Sequence, residues 1–253
     1  MLAAHAHPHH ESWFTGLLNQ TLASPANALL NAVGKPAHDP AHPWADWMAT
    51  QIFVALVIMA LATVVRAGLS MDKPGGLQHT FEGLYGFVKQ QAIDVIGHHD
   101  GKKHVVYTGT VFLFIVMMNL IGIVPAFESP TMFPMVPLGC AIATFLYYNI
   151  WGFSTNGLGY LKHFAGPIWW LSWFMFPLEI ISHLIRPMSL TIRLYANMLA
   201  GEQVTLGFLA LVPLLVPVVF MGLHTFVSLL QAFIFMVLTM AYVGEAVAHE
   251  EAH

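Results

Sequence analysis

The chain has 253 residues, of which 57% are hydrophobic and 9% carry a formal charge, with a net charge of −4. A soluble domain usually carries about 25% charged residues, so this composition excludes an ordinary water-soluble globule and describes a polytopic membrane protein. The mild net charge gives no basis for nucleic-acid binding. The single cysteine, Cys140 in an apolar run, excludes an intrachain disulfide framework and reads as a small core residue.

Residues 1–46 form a His-rich N-terminal segment. Its opening, MLAAHAHPHHESW, lacks the apolar core of a signal peptide, so the first hydrophobic span is expected to direct insertion. His5, His7, His9 and His10 are of the type that binds transition metals, which keeps a metal-handling membrane protein among the competing readings. A solvated tail explains them too; that reading is adopted, with no metal ligand and no cofactor assigned.

An uncharged window of about 20 residues crosses a bilayer as a helix. The first covers 47–65 and is closed by Arg66, giving a transmembrane helix over 47–66. In the linker 72–103, Leu77, Phe81, Leu84, Val88, Ala92 and Val95 recur at steps of three or four, while Gln78, Glu82, Lys89 and Gln90 fall elsewhere. That periodicity predicts an amphipathic helix on the membrane surface, an ordinary loop helix being the alternative. Two further transmembrane helices occupy 104–153, on either side of Glu128.

From 167 to 248 the pattern predicts a helix hairpin. Its first arm, about 45 residues, is far longer than a bilayer is thick, so it must be steeply tilted, kinked or broken. Pro177 and Pro187 are candidate kinks, and Pro213 and Pro217 mark the turn. The predicted fold is therefore an all-α integral membrane protein: one transmembrane helix, an amphipathic surface helix, two further transmembrane helices, then a long steeply tilted hairpin. Arg66, Lys73, Lys89, Lys102 and Lys103 lie between the first two spans, and Lys162 follows the third; the first 46 residues hold only Lys35. By the positive-inside rule the linker is cytoplasmic, the N-terminus outside and, after five passes, the C-terminus inside.

Charges inside such segments are costly, about 2.5–3.5 kcal/mol for an arginine at mid-membrane on insertion scales, and they usually face a bundle interior or a watery cavity. At 100° per residue Glu179, His183, Arg186, Arg193 and Asn197 fall within roughly 80° of one another. His224, Gln231, Tyr242, Glu245 and His249 share a face of the second arm in the same way. Two polar stripes on a hairpin suggest an ion path, since Glu and His pass protons stepwise. Glu202 is placed to meet His224 across the turn. Three structural alternatives remain, covering four of these residues: a Glu179–Arg186 ion pair, a backbone hydrogen bond for Gln231, and a helix–helix hydrogen bond for Asn197. Arg193 has no acid within one helical turn, so its countercharge lies farther off or on another chain. A secondary transporter using the same buried charges is the competing class, although the chain shows no internal repeat of the kind many transporters have.

The segment RPMSLTIRLYANMLAGE, followed by LQAFIFMVLTMAYV, resembles subunit a of the F-type ATP synthase, closely over 173–251 and in layout over the preceding half. The resemblance implies a membrane stator beside a rotating ring of c subunits, with b-type peripheral stalk subunits as partners and the catalytic head reached indirectly. It implies that Arg193 is the essential ion-coupling arginine, and that Asn197, Glu202, His224 and Gln231 form the proton path on the outer side. On the cytoplasmic side it implies Glu179, Ser182, His183, Tyr242 and Glu245. The subunit itself would perform no covalent chemistry, and a bacterial plasma membrane is the expected location.

Overall fold

The computed structural model describes residues 12–32, 39–70, 75–98, 100–124, 127–157, 172–211 and 215–247. The histidines of the N-terminal tail, the loop around Lys162, Pro213 and His249 lie outside these residues. Among the described residues all regular structure is helical: α1 (Trp13–Ala32), α2 (Asp46–Ala67), α3 (Gly76–Ile96), α4 (Gly101–Ile121), a 3-10 turn (Pro130–Met132), α5 (Met135–Asn156), α6 (Ser172–Leu211) and α7 (Leu215–Val247).

Among the described residues, four helices are long and apolar enough to cross a membrane: α2, α4, α5 and, from Val218 onward, α7. The first three are Asp46–Ala67, Gly101–Ile121 and Met135–Asn156. α6 is not among the four, since Glu179, Arg186, Arg193 and Glu202 interrupt its hydropathy. It is nevertheless one helix of 40 residues, about 60 Å long at 1.5 Å per residue and twice the thickness of a hydrocarbon core. Pro177 and Pro187, the candidate kinks, both lie inside this continuous helix. Each proline frees one backbone carbonyl, whereas a full interruption in lipid would strand several polar groups. Pro217, expected to mark the turn, falls instead in the first turn of α7, where a proline's missing N–H would have been unpaired anyway.

The core is assembled around α7, which packs against α3, α4, α5 and α6. One cluster joins Val54 of α2, Ile115 and Met118 of α4, Val136 and Ala141 of α5, Leu190, Leu194 and Met198 of α6, and Ala232 and Phe235 of α7. Leu190, Leu194 and Met198 are spaced one turn apart, so they fix which side of α6 faces inward. Neighbouring Ile185, Met188 and Ile192 are left exposed. α3 docks by the predicted stripe: Val88 and Ala92 are buried against Val105, Met236 and Met240, with Leu84 and Ile96 packed alongside. The stripe is shorter than expected, because Leu77 and Val95 are exposed.

The His-rich segment contains a helix that the periodicity did not reveal. α1 bends at Leu22 (φ −120°, ψ 18°), three residues before Pro25, whose ring cannot accommodate a straight preceding turn. It is held to the start of α2 by polar contacts. Asp46 accepts from the Ser12 N–H at 3.1 Å and from the Thr15 hydroxyl, and Asn19 accepts from the Trp44 N–H at 3.0 Å. An acid in the first turn of α2 also suits the positive end of that helix.

Candidate functional site

The two arms of the hairpin run antiparallel, and side-chain contacts fix their register. Arg186 meets Glu245, Asn197 meets Gln231, Gly201 meets His224, and Phe208 stacks on Phe220 with ring centroids 4.2 Å apart. The polar residues therefore fall into three levels: one toward the turn, one in the middle, and one at the open end.

In the middle, Asn197 Nδ2 donates to Gln231 Oε1 at 2.6 Å. Gln231 is 1% exposed and its Nε2 has no hydrogen-bond partner among the described residues. Of the alternatives for these two, the helix–helix hydrogen bond is what forms. Arg193 lies one turn before Asn197 and is exposed. Exposed Ile192 precedes it, and exposed Ala196 and Asn197 follow one turn later, while Leu190 and Leu194 are buried. No described carboxylate forms an ion pair with it. The guanidinium thus stands exposed on α6 with no ion pair among the described residues.

Toward the turn the polar groups line space. A cavity of about 210 Å³ lies between Gly122, Ser129, Glu202, Thr205, Met221 and His224, among others. A second, of about 250 Å³, is bounded by Asn197, Ala200, Gly201, Leu223 and His224 with their neighbours. His224 borders both, so the imidazole stands between Glu202 and Asn197. It can do so because residue 201 is glycine: a Cβ there would lie 1.9 Å from His224 Nδ1. Gly201 is within the segment singled out by resemblance, yet composition and periodicity do not mark it as a contact residue.

Below His224 a buried network fixes α7 to α4. Ser228 Oγ donates to the His224 carbonyl at 2.7 Å, and Asn119 Nδ2 donates to the Ser228 carbonyl at 3.1 Å. Thr131 Oγ1 donates to Asn119 Oδ1 at 2.8 Å, and Ser129 Oγ lies 2.8 Å from Thr131 Oγ1. All four side chains are almost fully buried. Sequence reasoning missed them, since a lone Asn119 or Ser228 in an apolar helix shows nothing of a partner 109 positions away.

At the open end the polar groups hold each other. Arg186 Nη2 donates to Glu245 Oε1 at 2.7 Å, and its guanidinium lies 5.1 Å from the Tyr242 ring centre. The considered Glu179–Arg186 pair is thus replaced by a pair across the hairpin, because Arg186 faces α7. His183 Nε2 donates to Asn149 Oδ1 on α5 at 3.1 Å and lies edge-on to Phe145 and Tyr148. It is 8% exposed and leaves the stripe on which the helical arithmetic placed it. Glu179 is half-buried and Ser182 exposed on the same arm.

The chain is similar over most of its length to known proteins. Residues 48–244 match the family described as ATP synthase A chain. An ATP synthase subunit a of Solibacter usitatus is 56% identical over 235 residues, covering 92% of this chain and all of the relative. One from Koribacter versatilis is 51% identical over 241 residues, covering 95% and 98%. One from Sulfurimonas denitrificans is 38% identical over 206 residues, covering 81% and 92%. The match spans both arms of the hairpin and all four apolar helices, and the chain belongs to the ATP synthase subunit a family.

Proposed function

We propose that this chain is the ion-translocating stator subunit in the membrane sector of the F-type ATP synthase, and that Arg193 is the charge against which a ring of c subunits turns. Each c subunit would carry a carboxylate past Arg193. The fixed guanidinium favours the ionised carboxylate while that group is near, and its charge opposes direct proton leakage between the two sides. Glu202, His224, Gln231 and Asn197 would bring protons from the outer side, and Glu179 with Ser182 would take them to the cytoplasm. His183, Arg186, Tyr242 and Glu245 are engaged in contacts of their own. Each charge crossing the membrane supplies about 2.3 kcal/mol per 100 mV, and access to one moving site from opposite faces turns that energy into rotation. The peripheral stalk would hold the chain still relative to the catalytic head, where the covalent chemistry takes place.

The observation that carries this reading is the position of Arg193: exposed, without an ion-paired acid of its own chain among the described residues, and one turn beyond the Asn197–Gln231 bond at which the cavities of the turn end stop. Replacing Arg193 by Ala is expected to abolish ATP synthesis in reconstituted vesicles while the complex still assembles. Arg193→Lys keeps the charge but loses the planar fork, and is expected to fail as well. Normal synthesis in the alanine variant would defeat the assignment; full coupling with lysine would reduce the requirement to charge alone.

A further inference from the structure

α6 carries two arginines, and they are two turns apart. Arg186 and Arg193 are separated by seven residues, about 10 Å along the axis, and point within roughly 20° of the same direction. A carboxylate moving along this face would therefore meet two guanidinium groups unless one were cancelled. The structure treats them differently. Arg193 is exposed and forms no ion pair among the described residues. Arg186 has a side chain only 16% exposed, bonded to Glu245 at 2.7 Å with the Tyr242 ring beside it.

Glu245 is in an unfavourable place for an acid. α7 ends at Val247, so Glu245 lies in the last turn, where the helix dipole favours cations. The bonded partner of this carboxylate, whose side chain is 46% exposed, is Arg186. The other polar groups nearby do not serve: His183 is turned to Asn149 on α5, and Glu179 is two turns farther from Arg193 than Arg186 is. Nothing in this geometry requires Glu245 to pass a proton.

We infer that Glu245 is a counter-ion that masks Arg186, so that Arg193 is left as the single uncompensated cation along the exposed seam of α6. Glu245 is then a positioning residue for charge rather than a member of the proton path. Masking matters only if Arg193 meets the moving carboxylate, the reading given above. An unmasked Arg186 would hold the carboxylate at a second, misplaced point and slow its release.

The test uses vesicles containing the complete ATP synthase, with assembled complex quantified and proton pumping measured per ATP hydrolysed. Glu245→Gln is expected to assemble normally and to lose coupling by about fivefold or more, Arg186→Gln to stay within about twofold of the wild type, and Arg186→Gln/Glu245→Gln to recover to about that level, the non-additivity being the signature of one residue acting through another. A double variant as poor as Glu245→Gln would mean that Glu245 itself carries protons and would overturn the inference. Equal losses in both single variants together with reduced assembly would make the pair a simple helix clamp, and would overturn it too, as would undiminished pumping in Glu245→Gln. Arg193→Ala, measured in parallel, separates the two levels: retained pumping there sinks the stator reading itself, whereas loss there with no effect in Glu245→Gln sinks only the masking.

Discussion

The two ends of the α6–α7 hairpin are built from similar residues and put to different physical use. Near the turn, Glu202 and His224 border cavities of about 210 and 250 Å³, and a glycine makes room for the imidazole. At the open end, Arg186, Glu245, Tyr242, His183 and Asn149 are drawn into direct contacts. A polar group beside open space can exchange with water or protons; one bonded to a neighbour fixes helices or cancels charge. Residue type alone therefore does not tell a conducting group from a structural one.

The contrast can be broken at either end. The largest effect is expected at Gly201. An alanine there must displace His224, since the new Cβ would lie 1.9 Å from Nδ1. ATP synthesis in vesicles should fall about tenfold, equivalent to roughly 1.4 kcal/mol, with the Arg186–Glu245 contact intact. Unaltered synthesis would show that the seat of His224 does not matter and would remove the distinction at the turn end.

A smaller effect is expected from Asn119→Ala, which leaves the Ser228 carbonyl and the Thr131 hydroxyl short of a partner. Hydrogen bonds between membrane helices are worth about 0.6 kcal/mol on average and up to about 1.7. Thermal dissociation of the purified complex should shift down by a corresponding few degrees, with synthesis reduced less than in the Gly201 variant. A stronger loss of synthesis than of stability would instead place Asn119 in the path.

The smallest effect belongs to His183→Phe. Phenylalanine keeps the edge-on contacts with Phe145 and Tyr148 and loses the bond to Asn149. Passive proton conduction should stay within about twofold, as for the loss of one partly buried hydrogen bond. A collapse of conduction would return His183 to the ion path and show that groups at the open end carry ions despite being paired.

Much of this layout is legible in the sequence where one physical signal dominates. Long uncharged windows locate α2, α4 and α5, because a bilayer demands about 20 apolar residues in a row. The stripe of α3 is legible at Leu84, Val88 and Ala92, which recur at helical spacing and meet the core. The exceptional cost of a buried arginine draws attention to Arg193. Other features leave no such trace. α1 is bent beside Pro25 and held by Asp46 and Trp44 through polar contacts that periodicity does not register. The Asn119–Thr131–Ser228 network depends on how distant helices pack, and Gly201 matters only because His224 happens to face it. Helical arithmetic placed His183 with Arg193, yet the side chain turned to α5, where an amide and two aromatic rings receive it.

The central claim is that the mate of Arg193 belongs to another polypeptide. The most direct measurement is a structure of the assembled membrane sector by electron cryo-microscopy, resolved well enough to identify what the guanidinium faces. A carboxylate of a neighbouring ring subunit within about 4–6 Å of Arg193, the range over which one charge stabilises another, is the expected result. A guanidinium bonded to an acid of its own chain, or extended into bulk water away from the ring, would contradict it.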